Sequence, residues 1–228
     1  MTTTAVFGST GLVGSNILST LLSSDLYAAV VHTVSRRAPK ADSPKLHATV
    51  DAESDKWPEK LSSLTPAPST VYSALGTTRA EAGSIANQWK IDHDLNVEIA
   101  KAAKAAGVKT FVFISSAGVR GMLSGAAPYS KMKVGVEDAI KELDFEHAVI
   151  VRPGLILGER EVPKTPWING LVHKLGQGMQ DSFAAEADVI ARAAVAAAKL
   201  AEDGKAPEKY WVVDQKAVIR LGRTEWKE

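Results

Sequence analysis

Apolar runs typical of β-strands alternate along the chain with stretches of helical periodicity. Several of these runs, including residues 110–114 and 148–151, are apolar on both faces of the predicted strand. Such strands are typical of a parallel sheet that helices cover on each side. The pattern therefore predicts an α/β fold with a doubly wound parallel sheet.

The order of the predicted elements is regular up to residue 157. The predicted strands are residues 4–7, 28–35, 46–50, 70–75, 110–115, 147–152 and 210–213. The predicted helices are residues 15–23, 91–106, 129–143 and 188–201. Residues 158–183 contain Pro163 and Pro166 together with Gly170, Gly176 and Gly178. They predict a loop and a short helix that form a lid or a small substrate lobe.

Length and composition are those of one globular unit. The chain has 228 residues, 45% of them apolar and 23% charged, and about 150 residues per domain is a useful guide. We expect a single domain over residues 1–228, in which residues 156–228 contribute the small C-terminal lobe and the last strand.

Composition also excludes several classes of protein. Twenty-seven basic and 26 acidic residues leave a net charge of +1, which argues against a nucleic-acid-binding protein. The absence of cysteine excludes disulfides, thiolate metal sites and cysteine nucleophiles. The five histidines show no ligand spacing, so no metal site is predicted. No segment reaches the roughly 18–20 apolar residues of a membrane span, and the first strand starts so near Met1 that we expect no presequence.

A glycine-rich turn follows the first predicted strand and opens the first predicted helix. Three glycines at three-residue spacing let the backbone turn tightly and approach a pyrophosphate, which the free N–H groups of the helix N-terminus then bind. The predicted cofactor-binding residues of this turn are Gly8, Ser9, Thr10, Gly11, Leu12, Val13 and Gly14. The alternative is a plain strand-to-helix turn in which glycine serves only steric needs.

The end of the second predicted strand bears on the choice of dinucleotide. Ser35 lies 21 residues after Gly14, where a Rossmann-like fold places the group that reads the ribose 2′ position. An acid there would favour NAD(H), whereas Arg36 and Arg37 follow Ser35 here and could pair with a 2′-phosphate. We therefore predict NADP(H); the alternative is that both arginines are only solvated.

Two later strand ends supply further predicted cofactor contacts. Asp51 ends the third strand, where the chain can meet the adenine edge. Leu75, Gly76 and Thr77 follow the fourth strand and are predicted to line the path of the nicotinamide ribose.

A candidate catalytic set lies between the fifth strand and the following helix. Tyr129 and Lys133 are four residues apart, so they share one helix face, and Ser116 stands at the carboxyl end of the fifth strand, where ligands bind in such sheets. A neighbouring ammonium would lower the pKa of a phenol and ease proton transfer. Each piece also has a structural interpretation, as a strand-end turn or a helix start.

Taken together, these motifs resemble the short-chain dehydrogenase/reductase superfamily over about residues 4–155. The Gly-x-x-Gly-x-x-Gly spacing resembles its extended and atypical members. The segments LGTTRA (75–80), KIDHD (90–94), SSAG (115–118) and RPGLILGER (152–160) resemble a narrower group. That group holds the Tat-interacting oxidoreductase and fungal relatives assigned to the mitochondrial outer membrane.

The resemblance implies NADPH binding and a catalytic set of Ser116, Tyr129 and Lys133, with Tyr129 and Lys133 also bordering the cofactor. It implies further cofactor contacts from Pro153, Gly154, Leu155 and Arg160. Asp92 stands where many members carry an asparagine that supports a proton relay. A peripheral position on the cytosol-facing mitochondrial outer membrane and a homodimer are also implied only by the resemblance.

Two functions from different classes remain open from the sequence. The first is an oxidoreductase that uses NADPH to reduce a carbonyl of a small molecule, with Tyr129 as general acid. The alternative is an NADPH-binding regulatory or sensor protein with little or no turnover. The intact Ser116, Tyr129 and Lys133 set favours the enzyme, since a sensor needs no acid.

Overall fold

The fold is built around a parallel sheet, and the computed structural model describes residues 2–121, 126–158 and 180–227. The strands of this part are β1 (Thr3–Phe7), β2 (Val30–Ser35), β3 (Leu46–Val50), β4 (Thr70–Ser73), β5 (Thr110–Ile114), β6 (His147–Val151), β7 (Leu155–Leu157), β8 (Ala184–Glu186) and β9 (Tyr210–Val213). The helices are α1 (Leu12–Ser23), α2 (Trp57–Leu61), α3 (Arg79–Ala82), α4 (Ile85–Trp89), α5 (Leu95–Ala105), α6 (Pro128–Glu142), α7 (Ala187–Glu202) and α8 (Gln215–Ile219).

Within the described residues, seven strands pair in the order β3-β2-β1-β4-β5-β6-β9, and every pairing is parallel. The predicted doubly wound, Rossmann-like fold is therefore confirmed. The strand order reverses direction between β1 and β4, and ligands of such sheets bind in the crevice beyond the strand ends at this point. The glycine-rich turn follows β1, and the chain leaving β4 lies beside it.

The two faces of the sheet bury separate apolar clusters. Val112 of β5 packs in the cluster under α1 and α7, whereas Phe111 and Phe113 pack in the cluster under α5 and α6. This arrangement explains why β5 carries apolar side chains on both faces. Ten of the sixteen residues of α7 are buried, most of them alanine, and these small side chains let α7 approach its neighbours closely.

The predicted strands and helices are present, with small differences at their ends. The predicted helix over residues 91–106 is instead a π-helical turn (Lys90–Asp94) that continues into α5. Helix α1 begins at Leu12 rather than at residue 15, because Gly11 is its N-cap. The short helices α2, α3, α4 and α8 and the separate β7–β8 pair were not predicted.

The predicted lid falls largely outside the described residues, and so do Pro163 and Pro166. The described chain resumes at residue 180 and reaches β8, which pairs in parallel with β7. It then continues through α7 to β9. No helix in the described ranges is both long and apolar enough to cross a membrane.

Candidate active site

A cleft of about 650 Å³ opens beyond the carboxyl ends of β1, β4 and β5. It brings together segments that are far apart in the chain: the glycine-rich turn, the loop after β2, the loop after β4 and the start of α6. Its lining includes Ser9, Thr10, Gly11, Leu12, Val13, Arg37, Lys40, Leu75, Gly76, Thr77, Glu81, Asp92, Ile114, Ser115, Tyr129, Lys133 and Ile156. Much of the predicted cofactor and catalytic set therefore faces one space.

Two glycines of the turn have steric roles that no other residue could fill. Gly8 has φ +84°, and a Cβ there would lie 2.8 Å from the carbonyl carbon and oxygen of Ala74. A Cβ on Gly14 would lie 2.1 Å from the carbonyl oxygen of Gly8. Gly8 thus lets β1 run beside the end of β4, and Gly14 lets α1 start directly against the turn.

The N-terminus of α1 is open toward the cleft. Its N-cap, Gly11, has no side chain to occupy the first N–H groups, and the first turn contains no acidic residue. The Ser9 hydroxyl is buried and has no hydrogen-bond partner among the described residues. An open helix N-terminus and an unpaired buried donor both fit the pyrophosphate of a dinucleotide.

The loop after β2 presents cations to the same cleft. The Ser35 hydroxyl donates a hydrogen bond to the carbonyl oxygen of Arg37 at 2.7 Å, so it shapes this loop. Arg37 and Lys40 line the cleft, whereas Arg36 is exposed and is not part of the lining. The carboxylate of Asp51 accepts a hydrogen bond from the Glu53 amide at 2.9 Å and pairs with an ammonium of α2.

Lys133 is buried on α6 at the floor of the cleft. Its Nζ donates a hydrogen bond to the carbonyl oxygen of Ile114 at 3.0 Å and lies 4.6 Å from the centre of the Phe113 ring. Burial lowers the pKa of Lys133 to about 8, although the charges of Asp92 and Glu137 oppose this effect. The ammonium is therefore mostly protonated at neutral pH.

Tyr129 lies one helical turn before Lys133, and its side chain is half-exposed at the cleft. Its pKa is raised, first by burial and then by the charge of Asp92, while a hydrogen bond with the Ser116 hydroxyl lowers it. The Lys133 ammonium donates to the Ile114 carbonyl rather than to the phenol. A raised pKa keeps the phenol protonated at neutral pH but makes it a weaker acid than the predicted coupling to Lys133 would.

Asp92 belongs to the π-helical turn before α5 and is almost fully buried. Its Oδ2 accepts a hydrogen bond from the Thr77 amide at 2.9 Å. A Cβ built on Gly76 would lie 3.4 Å from Asp92 Oδ1 and 3.9 Å from Lys133 Nζ. The bare backbone at Gly76 therefore leaves the acid and the ammonium close to the cleft.

The remaining residues that the resemblance assigns to the cofactor are Pro153, Gly154, Leu155 and Arg160, and two of these make backbone contacts within the fold. The Pro153 carbonyl accepts a hydrogen bond from the Ala117 amide at 2.7 Å. A Cβ on Gly154 would lie 2.0 Å from the Phe183 carbonyl oxygen, so glycine is needed there to let β7 meet β8. Leu155 is partly exposed at the start of β7. Arg160 lies outside the described residues.

Sequence reasoning missed the buried carboxylate of Glu137. Glu137 follows Lys133 by four residues, so it continues the helix face of Tyr129 and Lys133. It accepts hydrogen bonds from Ser115, Arg120 and Arg152. An acidic residue on an otherwise buried helix face was the available signal. Lys40 and Glu81 of the cleft lining were also missed, and no motif marked them, whereas Ile156 lies in the RPGLILGER segment but was given no role.

Comparisons with known proteins place this chain in a family. Residues 8–201 match a family model described as NAD(P)H-binding. The chain is 62% identical over 231 residues to "Protein fmp52-2, mitochondrial" of Aspergillus terreus, covering 100% of both chains. It is 62% identical to "Protein fmp-52, mitochondrial" of Neurospora crassa, covering 100% of this chain and 98% of the relative.

Solved structures share the fold at low sequence identity. MoeE5 in complex with UDP-glucose and NAD superposes with a TM-score of 0.70 at 18% identity, covering 92% of this chain and 75% of that chain. The Bordetella bronchiseptica enzyme WbmF in complex with NAD⁺ gives a TM-score of 0.68 at 19% identity, covering 94% and 72%. These likenesses concern the fold alone.

Proposed function

Because the chain belongs to the NAD(P)H-binding family, among the fungal mitochondrial Fmp52 proteins, we propose that it is an NADPH-dependent oxidoreductase. Its domain is that of an atypical short-chain dehydrogenase/reductase. The proposed reaction is the reduction of a carbonyl of a small molecule. One observation carries this proposal. Tyr129 lines the same cleft as Lys133 and the open N-terminus of α1.

The preference for NADPH over NADH rests on charge at the far end of the cleft. Arg37 and Lys40 line it, and position 35 holds a serine rather than an acid. An acid would repel a 2′-phosphate, whereas cations pair with it. The expected contacts of the pyrophosphate are the amides of the first turn of α1 and the buried hydroxyl of Ser9.

When NADPH is bound, the chemistry it supplies is hydride transfer to the carbonyl carbon. Tyr129 donates its phenolic proton to the carbonyl oxygen, on which negative charge develops. The Ser116 hydroxyl holds that oxygen beside the phenol, and the Lys133 ammonium, which donates to the Ile114 carbonyl, would border the bound cofactor. Proton and hydride together make the alcohol, and half-exposed Tyr129 regains its proton from solvent.

The sensor function has one observation in its favour. The Lys133 ammonium donates to the Ile114 carbonyl, and it is not among the charges that shift the pKa of Tyr129. A site kept for binding alone needs no such coupling. Turnover measurements separate the two functions, because a sensor would bind NADPH tightly without oxidising it.

The decisive experiment is NADPH oxidation by the full chain across a panel of aldehydes, ketones and quinones. We expect at least one substrate to be reduced, with turnover lost in Tyr129→Phe and kept in the matched control Tyr27→Phe. Tyr27 is a suitable control because it stacks on Trp226 and does not line the cleft. Tight NADPH binding without turnover of any substrate would favour the sensor.

Mitochondrial location belongs to this proposal, because the relatives are named mitochondrial. Peripheral attachment to the outer membrane and a homodimer stay predictions. Protease accessibility and carbonate extraction of isolated mitochondria test the first. Light scattering of the purified chain tests the second.

A further inference from the structure

A fully buried carboxylate lies beneath the candidate active site. Glu137 has no exposed surface, and its Oε1 accepts hydrogen bonds from Ser115 Oγ at 2.6 Å and Arg152 Nε at 2.9 Å. Its Oε2 accepts from Arg120 Nε at 2.9 Å and Arg152 Nη2 at 2.6 Å. Both oxygens are thus fully engaged, and each accepts a hydrogen bond from a guanidinium group.

These partners come from the segments that border the catalytic groups. Ser115 directly precedes Ser116 after β5, and Arg152 directly follows β6. The same two strand ends are joined by backbone hydrogen bonds from the Ser115 amide to the Val151 carbonyl at 2.8 Å and from the Ala117 amide to the Pro153 carbonyl at 2.7 Å. Ser116 therefore lies between two residues whose backbone amides are held by hydrogen bonds.

Glu137 also lies on the helix that carries the phenol. It is two turns after Tyr129, so a single rigid helix connects the acid of the cleft to the carboxylate that holds Ser115. The distance between the Ser116 hydroxyl and the phenol then depends on how the β5 end sits against α6. The hydrogen bond from Ser115 to Glu137 sets that position directly.

We infer that Glu137 is a positioning residue, whose carboxylate joins Ser115 and Arg152 to α6 and thereby holds the β5 end that carries Ser116 against the helix that carries Tyr129. The inference concerns the site of the proposed function and rests on that function for its catalytic meaning. Its structural content, the placement of Ser116, can be measured without turnover. A merely stabilising role for Glu137 would leave the effect of Ser116 on the pKa of Tyr129 unchanged whenever the protein folds.

The first experiment titrates the Tyr129 phenol by ultraviolet difference spectroscopy, using Tyr129→Phe in each background to isolate its signal. The Ser116 side chain lowers the pKa of Tyr129, so Ser116→Ala should raise that pKa. Glu137→Gln should raise it by a similar amount, and the double variant Glu137→Gln/Ser116→Ala should raise it no further. An unchanged pKa in folded Glu137→Gln, or additive effects in the double variant, would overturn the inference.

Two more variants keep the test decisive. Asp138→Asn is the matched control, because Asp138 pairs only with the outer side of Arg120 among these groups, and it should leave the pKa of Tyr129 unchanged. A folding defect in Glu137→Gln is avoided by Ser115→Ala, which keeps the carboxylate paired with Arg120 and Arg152. Ser115→Ala should reproduce the rise, and an unchanged pKa in this variant would overturn the inference.

Kinetics then connect this placement to the proposed reaction. With a substrate in hand, Glu137→Gln should lower kcat while leaving NADPH affinity near its wild-type value. If the substrate panel shows no turnover, the proposed reaction fails while the titration still tests the placement of Ser116. The two failures are therefore distinguishable.

Discussion

The backbone amide of Thr77 donates a hydrogen bond to the carboxylate of Asp92, with 2.9 Å between N and Oδ2. This bond joins the loop after β4 to the π-helical turn before α5, two segments that border the cleft from one side. The Asp92 charge also acts on Lys133 and Tyr129 and raises the pKa of each. One carboxylate thus shapes the cleft and favours the protonated form of two site groups.

Asp92→Asn should shift the pKa of Lys133 below its value of about 8. The asparagine can still accept the Thr77 hydrogen bond, but the negative charge that favours the ammonium is gone. NMR titration of the lysine Nζ resonances, assigned with Lys133→Met, measures this shift.

The control for this change is Asp94→Asn, which removes an exposed carboxylate two residues along the same turn. It should leave the Lys133 titration unchanged. An unaltered Lys133 pKa in Asp92→Asn would mean that Asp92 does not support the ammonium.

Lys133→Met should increase the free energy of unfolding at neutral pH, by at most about 3 kcal/mol. Below a pH of about 8 the Lys133 ammonium is charged in both the folded and the unfolded state, and burying this charge destabilises the folded state. Between about 8 and the ordinary value of 10.5, the unfolded chain binds more protons than the folded one, so wild-type stability rises with pH. The advantage of the variant should therefore shrink over this interval.

Denaturant unfolding at a series of pH values measures that trend. Lys131→Met serves as the comparison, because Lys131 is exposed on the same helix. An advantage of Lys133→Met that grew with rising pH would contradict the depressed pKa.

Arg37→Ala should weaken NADPH binding by about 10–100-fold, the usual effect of losing one charge-assisted hydrogen bond, and should leave NADH binding nearly unchanged. Arg36→Ala should have a smaller effect, since Arg36 does not line the cleft. Fluorescence titration with both cofactors measures the difference. Equal NADPH and NADH affinities that neither substitution alters would exclude a 2′-phosphate site at this loop.

Gly14→Ala should abolish NADPH binding and destabilise the fold by about 1–3 kcal/mol, the typical cost of overpacking. The added Cβ would lie 2.1 Å from the Gly8 carbonyl oxygen, which is rigid backbone. Gly11→Ala is the matched comparison, because its Cβ would lie 3.3 Å from the same atom and needs only a small adjustment. Thermal melts should give a lower Tm for Gly14→Ala than for Gly11→Ala, and cofactor titration should show weaker NADPH binding by Gly14→Ala.

The strands and the glycine-rich turn could be predicted because their signals are local. β5 is apolar on both faces since it lies between two helical layers, and Gly8 and Gly14 mark backbone that admits no side chain. The short helices α3 and α4 were missed because tertiary packing and caps such as Thr78 stabilise them, rather than a long apolar periodicity. The β7–β8 pair was missed because three-residue strands carry too little pattern.

The sequence by itself determined the parallel sheet, the turn after β1 and the shared helix face of Tyr129 and Lys133, because each follows from spacing within a few residues. Only the tertiary structure decided that the Lys133 ammonium meets the Ile114 carbonyl and that Glu137 joins Ser115 to Arg152. Those partners come from different strands and helices, and the free energy of a buried charge depends on which groups the completed fold brings to it.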